Sequence, residues 1–188
     1  PWNNIKELVD YSKTHPGEII YGTPGVGTTN HLIMARLAKQ ENLKLKHVPY
    51  KGDGELIPAV LGGHVHAAIG SPSAVVPQVK AGTLKLLVVT SKDRWSYLPE
   101  VPTLLQSGYT FYQTSFLSIG APAATPEPVR KKIEDAFRKA LQDPTIKAEV
   151  EEKLYAKLNY SPGQEYAKYI KEQYDYYKTF LKEEGITK

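Results

Sequence analysis

The chain has 188 residues, 41% of them hydrophobic, with 24 Lys and Arg against 20 Asp and Glu, a formal net charge of +4 and no cysteine. This length can bury a core as one domain or two small lobes, and the missing cysteines exclude disulfides, thiolate metal sites and cysteine nucleophiles. No apolar run approaches the roughly 20 residues that span a bilayer, and basic and acidic residues are interleaved along stretches such as Lys131 to Lys153, so no nucleic-acid partner is expected. The chain opens at Pro1 without a charged-then-apolar leader, so a targeting segment is expected to be absent or already removed.

In chain order, Ile5 to Ser12 reads as a helix closed by Pro16-Gly17. Glu18-Ile19-Ile20-Tyr21 reads as a short buried strand and leads into a glycine-rich turn. Leu32, Ile33, Arg36, Leu37, Lys39 and Gln40 then give apolar and polar faces to a helix ending near Asn42. A strand is expected around Leu45 to Val48, and Asp53-Gly54-Glu55 opens a helix to Leu61 with Gly62-Gly63 as its stop. Val65 to Ile69 reads as a strand, Ser71-Pro72-Ser73 starts a helix ending at Lys80-Ala81-Gly82, and Leu84 to Thr90 is the most strand-like run of all. Strands separated by helices of this length predict βαβ units and a mostly parallel α/β sheet. Ligands of such sheets gather at the carboxyl ends of the strands, where the turns at Gly22, at Pro49-Tyr50-Lys51-Gly52 and at Gly70-Ser71 emerge.

The second half differs. Arg94 to Gly108 is a proline-punctuated connection, followed by a strand-like Ser115 to Gly120 and the turn Ala121-Pro122. Helices are expected thereafter: one to Leu141 with a cap and proline at Thr125-Pro126, one from Asp143-Pro144, and one to Glu184 from a capping box at Ser161-Pro162-Gly163-Gln164. In the last, Tyr166, Tyr169, Ile170, Gln173, Tyr177, Phe180 and Leu181 form one stripe, expected to be core packing.

The richest segment is Tyr21-Gly22-Thr23-Pro24-Gly25-Val26-Gly27-Thr28-Thr29-Asn30-His31. A phosphate loop of the form G-x-x-x-x-G-K-[ST] needs a lysine after its second glycine, and here Thr28 follows Gly27. What remains is a backbone cradle at a helix start, suited to a smaller anion, in which several N–H groups can point at one ligand. Thr28 or Thr29 is the natural N-cap, its hydroxyl serving either the helix or a bound carboxylate. The plainer alternative is a tight strand-to-helix turn with a good cap and no ligand. His31 has no spaced partner, and His64 and His66, on one strand face at i, i+2, have no third ligand suggested by spacing, so no metal site is expected.

Together with Val48-Pro49-Tyr50-Lys51-Gly52, Leu61-Gly62-Gly63-His64-Val65, Lys80-Ala81-Gly82, Leu98-Pro99-Glu100-Val101-Pro102-Thr103 and Ala121-Pro122, this segment resembles the substrate-binding proteins of tripartite tricarboxylate transporters, the Bug or TctC family. The ordered set spans essentially the whole chain. The resemblance implies a periplasmic-binding-protein type II-like, two-lobed α/β architecture, a Venus flytrap. It also implies a periplasmic or extracellular solute-binding protein, with a lipid anchor as one form, that captures a small carboxylate and delivers it to membrane permease subunits. No enzymatic activity and no cofactor are implied. Family members are longer, so the expectation is that roughly the first third of a mature receptor lies outside this chain. Residues 1–110 would then be the contiguous second lobe and residues 111–188 the returning C-terminal part of the first. Such a receptor is expected to be monomeric when intact. Exposure of Tyr169, Ile170, Phe180 and Leu181 would favour oligomers of the shortened chain.

By the family pattern, Gly25, Gly27, Thr28 and Thr29 receive the ligand carboxylate, with His31 one turn into the helix. Tyr50 lines the cleft, Lys51 neutralises an acid, and Gly70 and Ser71 form the third turn. His66 and Gly70 stand where relatives often carry an acid and an Asp or Asn; if Gly70 faces the cleft, the lost polar contact favours a plain carboxylate over an amino acid. Asp53 replaces a small residue and would repel a polyanion if it pointed inward.

Two other readings are kept open. Ser71 or Ser73 with His66 and Asp53 can be drawn as a hydrolase triad, although the G-x-S-x-G elbow is missing. An effector-sensing module of a transcription regulator uses a related two-lobed architecture and would be joined to a helix-turn-helix segment.

Overall fold

A computed structural model describes residues 1–113, 118–158 and 160–183. The chain divides into two compact units, Pro1–Leu117 and Ser118–Lys188.

The first unit contains helix α1 (Ile5–Thr14), strand β1 (Ile20–Thr23), α2 (Thr29–Gln40), β2 (Lys46–Pro49), α3 (Asp53–Leu61), β3 (Ala67–Ala68) and α4 (Pro72–Lys80). All strand pairs are parallel and the order is β2-β1-β3. Asn4 starts α1 by accepting the Glu7 N–H, and the buried residues Ile5, Leu8, Val9 and Ser12 recur at the spacing of one helical face. Along β1 the side chains alternate. Tyr21 belongs to a buried cluster with Ile5, Leu8 and Val9 of α1 and Ile33, Met34 and Leu37 of α2. Gly22 faces the opposite way, where a Cβ would stand 2.5 Å from Leu56 of α3. Helices thus cover both faces of the sheet and leave its carboxyl edge to the turns.

The expected strand at Val65 to Ile69 is shorter in its ladder, which is restricted to Ala67–Ala68, although His66 N–H donates to Ile20 and Ile69 N–H to Gly22. His64 and His66 therefore precede the strand and do not share a face of it. Leu84 to Thr90 forms no strand among the described residues. Val89 makes an isolated parallel bridge with Thr103, donating its N–H to Pro102 and accepting from Leu104. Its burial follows the apolar pattern, with Val89 1% exposed and Leu87 and Val88 against the core, but the neighbouring backbone lacks a ladder partner. The proline-rich connection packs inward at Leu98, Val101 and Leu104, where Arg94 ties it by donating to Gln106 and to the Pro99 carbonyl.

The second unit contains α5 (Glu127–Gln142), α6 (Pro144–Leu154) and α7 (Gly163–Glu183). Ser115–Leu117 of the expected strand lie outside the described residues, and Ser118–Gly120 are irregular. Asp143 caps α6 by accepting the Thr145 N–H. Two other starts differ from expectation. Pro126, not Thr125, holds the cap position of α5, without a side-chain bond. At α7 the Gly163 N–H is taken by Glu134 of α5, which also accepts the Tyr160 hydroxyl at 2.6 Å, so a distant carboxylate replaces the local capping box. Phe180 is buried and Tyr166, Tyr169, Gln173, Tyr177 and Leu181 are half-buried; only Ile170 of that stripe is exposed, which corrects the expected exposure of Phe180.

Candidate functional site

The candidate site is built at the carboxyl edge of β1. Thr23, the last residue of the strand, is fully buried, and its hydroxyl donates to the Gly25 carbonyl at 3.1 Å while lying 2.7 Å from His47 Nε2. Gly27 adopts φ +74°, a left-handed conformation that side chains disfavour, and this reverses the loop onto the start of α2. Thr28 is the N-cap. Its hydroxyl accepts from His31 N–H at 3.3 Å and donates to Gly25 O at 2.8 Å, so it fastens both the helix and the loop. The Gly27 N–H donates to His31 Nδ1 at 3.1 Å.

Behind the loop stands a column of rings. His31 stacks on His47 with centroids 4.1 Å apart, and His47 stacks on Tyr21 at 4.9 Å. Tyr21 and His47 are register partners on neighbouring strands, so the sheet itself aligns them. Burial pushes the His47 imidazole down to about 4, aided by the neighbouring His31, and burial also lowers His31. Both rings are therefore neutral at pH 7, as an Nδ1 that accepts an N–H requires. Tyr21 is pushed up to about 12 by burial.

These ties leave the Val26, Thr28, Thr29 and Asn30 N–H groups, and the Thr29 hydroxyl, without an acceptor or partner among the described residues. Open amides at the N-terminus of a 12-residue helix carry partial positive charge and favour an anion such as a carboxylate. Tyr50 walls one side. Its N–H donates to Thr23 O, and its ring lies close against Gly22, where a Cβ would stand 3.1 Å from it and press the ring outward. Lys51 is exposed, and its N–H donates to Glu55, which supplies an acceptor at the start of α3 where Gly52 has no side chain.

On the other side, Asn30 Nδ2 donates to the Ile69 carbonyl at 3.2 Å, tying the start of α2 to the exit of β3. Gly70 and Ser71 follow. Ser71 caps α4 without a side-chain bond, its hydroxyl instead lying 3.0 Å from that of Ser73, while its N–H donates to the Asp53 carboxylate at 3.2 and 3.4 Å. The structure thus brings Gly25, Gly27, Thr28, Thr29, His31 and Tyr50 around one loop, with Gly70 and Ser71 reached through Asn30. Thr23, His47 and Asn30 were not singled out in the sequence. Asp53 was, but its partner is not in its own turn.

The triad drawn from the sequence does not converge. His66 Nδ1 accepts the Ile20 N–H ahead of β3, whereas Ser71 lies beyond that strand and Asp53 is on the Ser71 backbone. A concavity lined by Trp2, Tyr11, Ile19, Val60 and Val65 lies at the amino end of the strands, away from the loop. No cluster of three or more His, Asp or Glu placed to hold a metal occurs among the described residues, and none of their helices is long and apolar enough to cross a membrane.

Comparison with known proteins fits this geometry. The model of the tripartite tricarboxylate transporter family receptors matches residues 1–186. The UPF0065 protein of the gbd 5' region of Cupriavidus necator is 35% identical over 188 residues, covering 100% of this chain and 57% of that protein. Among solved structures, the R. palustris protein Rpa4515 with adipate superimposes with a TM-score of 0.88 at 25% identity, covering 98% of this chain and 62% of that one. The periplasmic binding protein BugD superimposes with a TM-score of 0.79 at 28% identity, covering 99% of this chain and 63% of that one. The chain therefore spans about three fifths of the length of these relatives. Its parallel α/β fold is that of the TctC and Bug binding proteins, and the chain belongs to the tripartite tricarboxylate transporter receptor family.

Proposed function

We propose that this chain is part of a periplasmic solute-binding receptor that captures a small organic carboxylate and delivers it to the permease subunits of a tripartite tricarboxylate-type transporter. The observation that carries the reading is the set of open amides from Val26 to Asn30, held in place by Thr28, His31 and the buried Thr23. The family match and the adipate bound to the R. palustris protein support a carboxylate as the anion.

In this reading the Val26, Thr28, Thr29 and Asn30 N–H groups and the Thr29 hydroxyl receive one carboxylate, while Gly25 and Gly27 shape the loop, their own N–H groups being held by the Thr23 hydroxyl and His31 Nδ1. Tyr50 lines the cleft, Lys51 offers a mobile positive charge at its rim, and Gly70 and Ser71 border the far end. His31 acts by holding Gly27. Residues 1–110 form the contiguous second lobe and 111–188 the returning part of the first, with the receptor acting as a monomer and as a binder, not an enzyme.

The test is a thermal-shift screen of the chain, with any coding sequence that flanks it, against aliphatic and aromatic carboxylates, using nucleotides as the contrasting set. A ligand that binds only the folded state raises the melting point. A rise with carboxylates is expected. A rise with nucleotides and none with any carboxylate would overturn the proposal. The 188-residue chain alone is expected to bind feebly, because it spans only about three fifths of the length of its relatives.

A further inference from the structure

The Asp53 carboxylate sits in an unusual place. It belongs to the first turn of α3, yet both of its oxygens face the Ser71 N–H at the start of α4, eighteen residues on. Gly70 makes this approach feasible, since a Cβ there would stand 3.0 Å from Asp53 Oδ1 and 3.2 Å from Val75. Any side chain at position 70 would compete with the carboxylate for that space. The α4 amide that could receive an anion is therefore already occupied by an anion of the protein itself.

This matters because the two helix starts are neighbours. Asn30, in the first turn of α2, reaches the Ile69 carbonyl, one residue before Gly70. The Asn30 bond sets the start of α2 beside the Gly70-Ser71 turn, and in the carboxylate reading a molecule a few carbons long, seated by one end on the Val26 to Asn30 amides, extends its other end toward that turn. There it meets a carboxylate that spends its acceptor capacity on a single backbone N–H and keeps further lone pairs available. A second carboxylate brought to this point faces like charge, whereas a hydroxyl or other donor finds an acceptor.

We propose that Asp53 sets the specificity of the site. It excludes a second carboxylate from the α4 side and selects a monocarboxylate whose far end is neutral or donates a hydrogen bond. The inference rests on the carboxylate reading above and sharpens it, since the R. palustris relative was determined with a dicarboxylate.

The test compares wild type with Asp53→Asn in the chain with any flanking coding sequence, using calorimetry on chain-matched pairs from four to eight carbons: the monocarboxylate, its ω-hydroxy form and the dicarboxylate. Asn keeps an oxygen for the Ser71 N–H and removes the charge, and Asp53→Ser serves as a second variant of the same kind. Glu55→Gln removes an equal charge from the same turn and controls for net charge. Wild type is expected to bind monocarboxylates, hydroxy forms at least as well, and the matched dicarboxylate at least tenfold more weakly. Asp53→Asn should close that gap by tenfold or more, and Glu55→Gln should leave it in place. Preference of wild type for dicarboxylates, an unchanged ratio in both Asp53 variants, or an equal effect of Glu55→Gln would overturn the role of Asp53 while leaving carboxylate capture standing. Binding of no member of the panel by wild type would overturn both.

Discussion

His47 is clamped between Tyr21 and His31, with centroids 4.9 and 4.1 Å away, while its Nε2 lies 2.7 Å from the Thr23 hydroxyl. Burial holds its pKa near 4, against about 6.5 in an unfolded chain. Between those values the unfolded chain takes up a proton that the folded chain refuses, so the His47 contribution to stability falls as pH falls from about 6.5 to 4 and is fully present above. The lowered His31 adds to the same limb. Melting temperature measured against pH should show this slope, and His47→Gln should flatten it. Parallel curves for the two proteins would assign the acid limb elsewhere.

Thr28 and Thr29 separate stability from binding. The Thr28 hydroxyl is spent on His31 N–H and Gly25 O, so Thr28→Ala should cost about 0.5–2 kcal/mol of unfolding free energy, as for lost N-caps. The Thr29 hydroxyl has no partner among the described residues. Thr29→Ala should leave denaturant midpoints within about 0.5 kcal/mol and weaken carboxylate binding by about 1–3 kcal/mol. The reverse assignment in unfolding and calorimetric titrations would exchange their roles.

Gly22→Ala should be destabilising by about 1–3 kcal/mol, because its Cβ would overlap Leu56 Cδ1 at 2.5 Å in a fully buried site. Leu56→Ala removes that obstacle and leaves a void, costing about 2–5 kcal/mol alone. The double variant should therefore be less destabilised than the sum, which urea unfolding of all three proteins would reveal. Strict additivity would mean the two positions do not meet.

In the second unit, the Glu134 carboxyl is held below its usual range, first by the Tyr160 hydroxyl and then by the Gly163 N–H. This contribution is present above about pH 4.5 and is lost as pH falls through the lowered folded value. Glu134→Ala should speed hydrogen exchange at the Gly163 amide near neutral pH, where wild type protects it. Equal exchange rates in the two proteins would show that another group guards the start of α7.

The helices of the first unit and the site loop were legible because their signals are local. Thr28 caps α2, Ser71 opens α4, and Gly62-Gly63 follow α3, each within a few residues of the element it punctuates. What sequence could not supply was pairing across distance. Leu84 to Thr90 has the apolar pattern of a strand, and Val89 is indeed buried, but a ladder depends on a partner that periodicity does not name. The ring of His47 and the hydroxyl of Thr23 were overlooked because their meeting depends on the register of β1 with β2. Asp53 looked like a charge in its own turn, whereas the parallel sheet brings it to Ser71.

The order β2-β1-β3 also dictates a sequence of events during folding. Tyr21 must find His47 on one side and Ala67 on the other, and the second partner is much farther along the chain. Closing the longer loop costs more entropy, so β1 and β2 should zip first and β3 should dock afterwards. In pulse-labelling, Lys46 N–H, which donates to Ile19, should be protected before His66 N–H, which donates to Ile20. Until β3 arrives, the amide cradle exists without the Ser71 anchor that fixes Asp53, so a half-folded intermediate should bind anions indiscriminately and acquire its selectivity last.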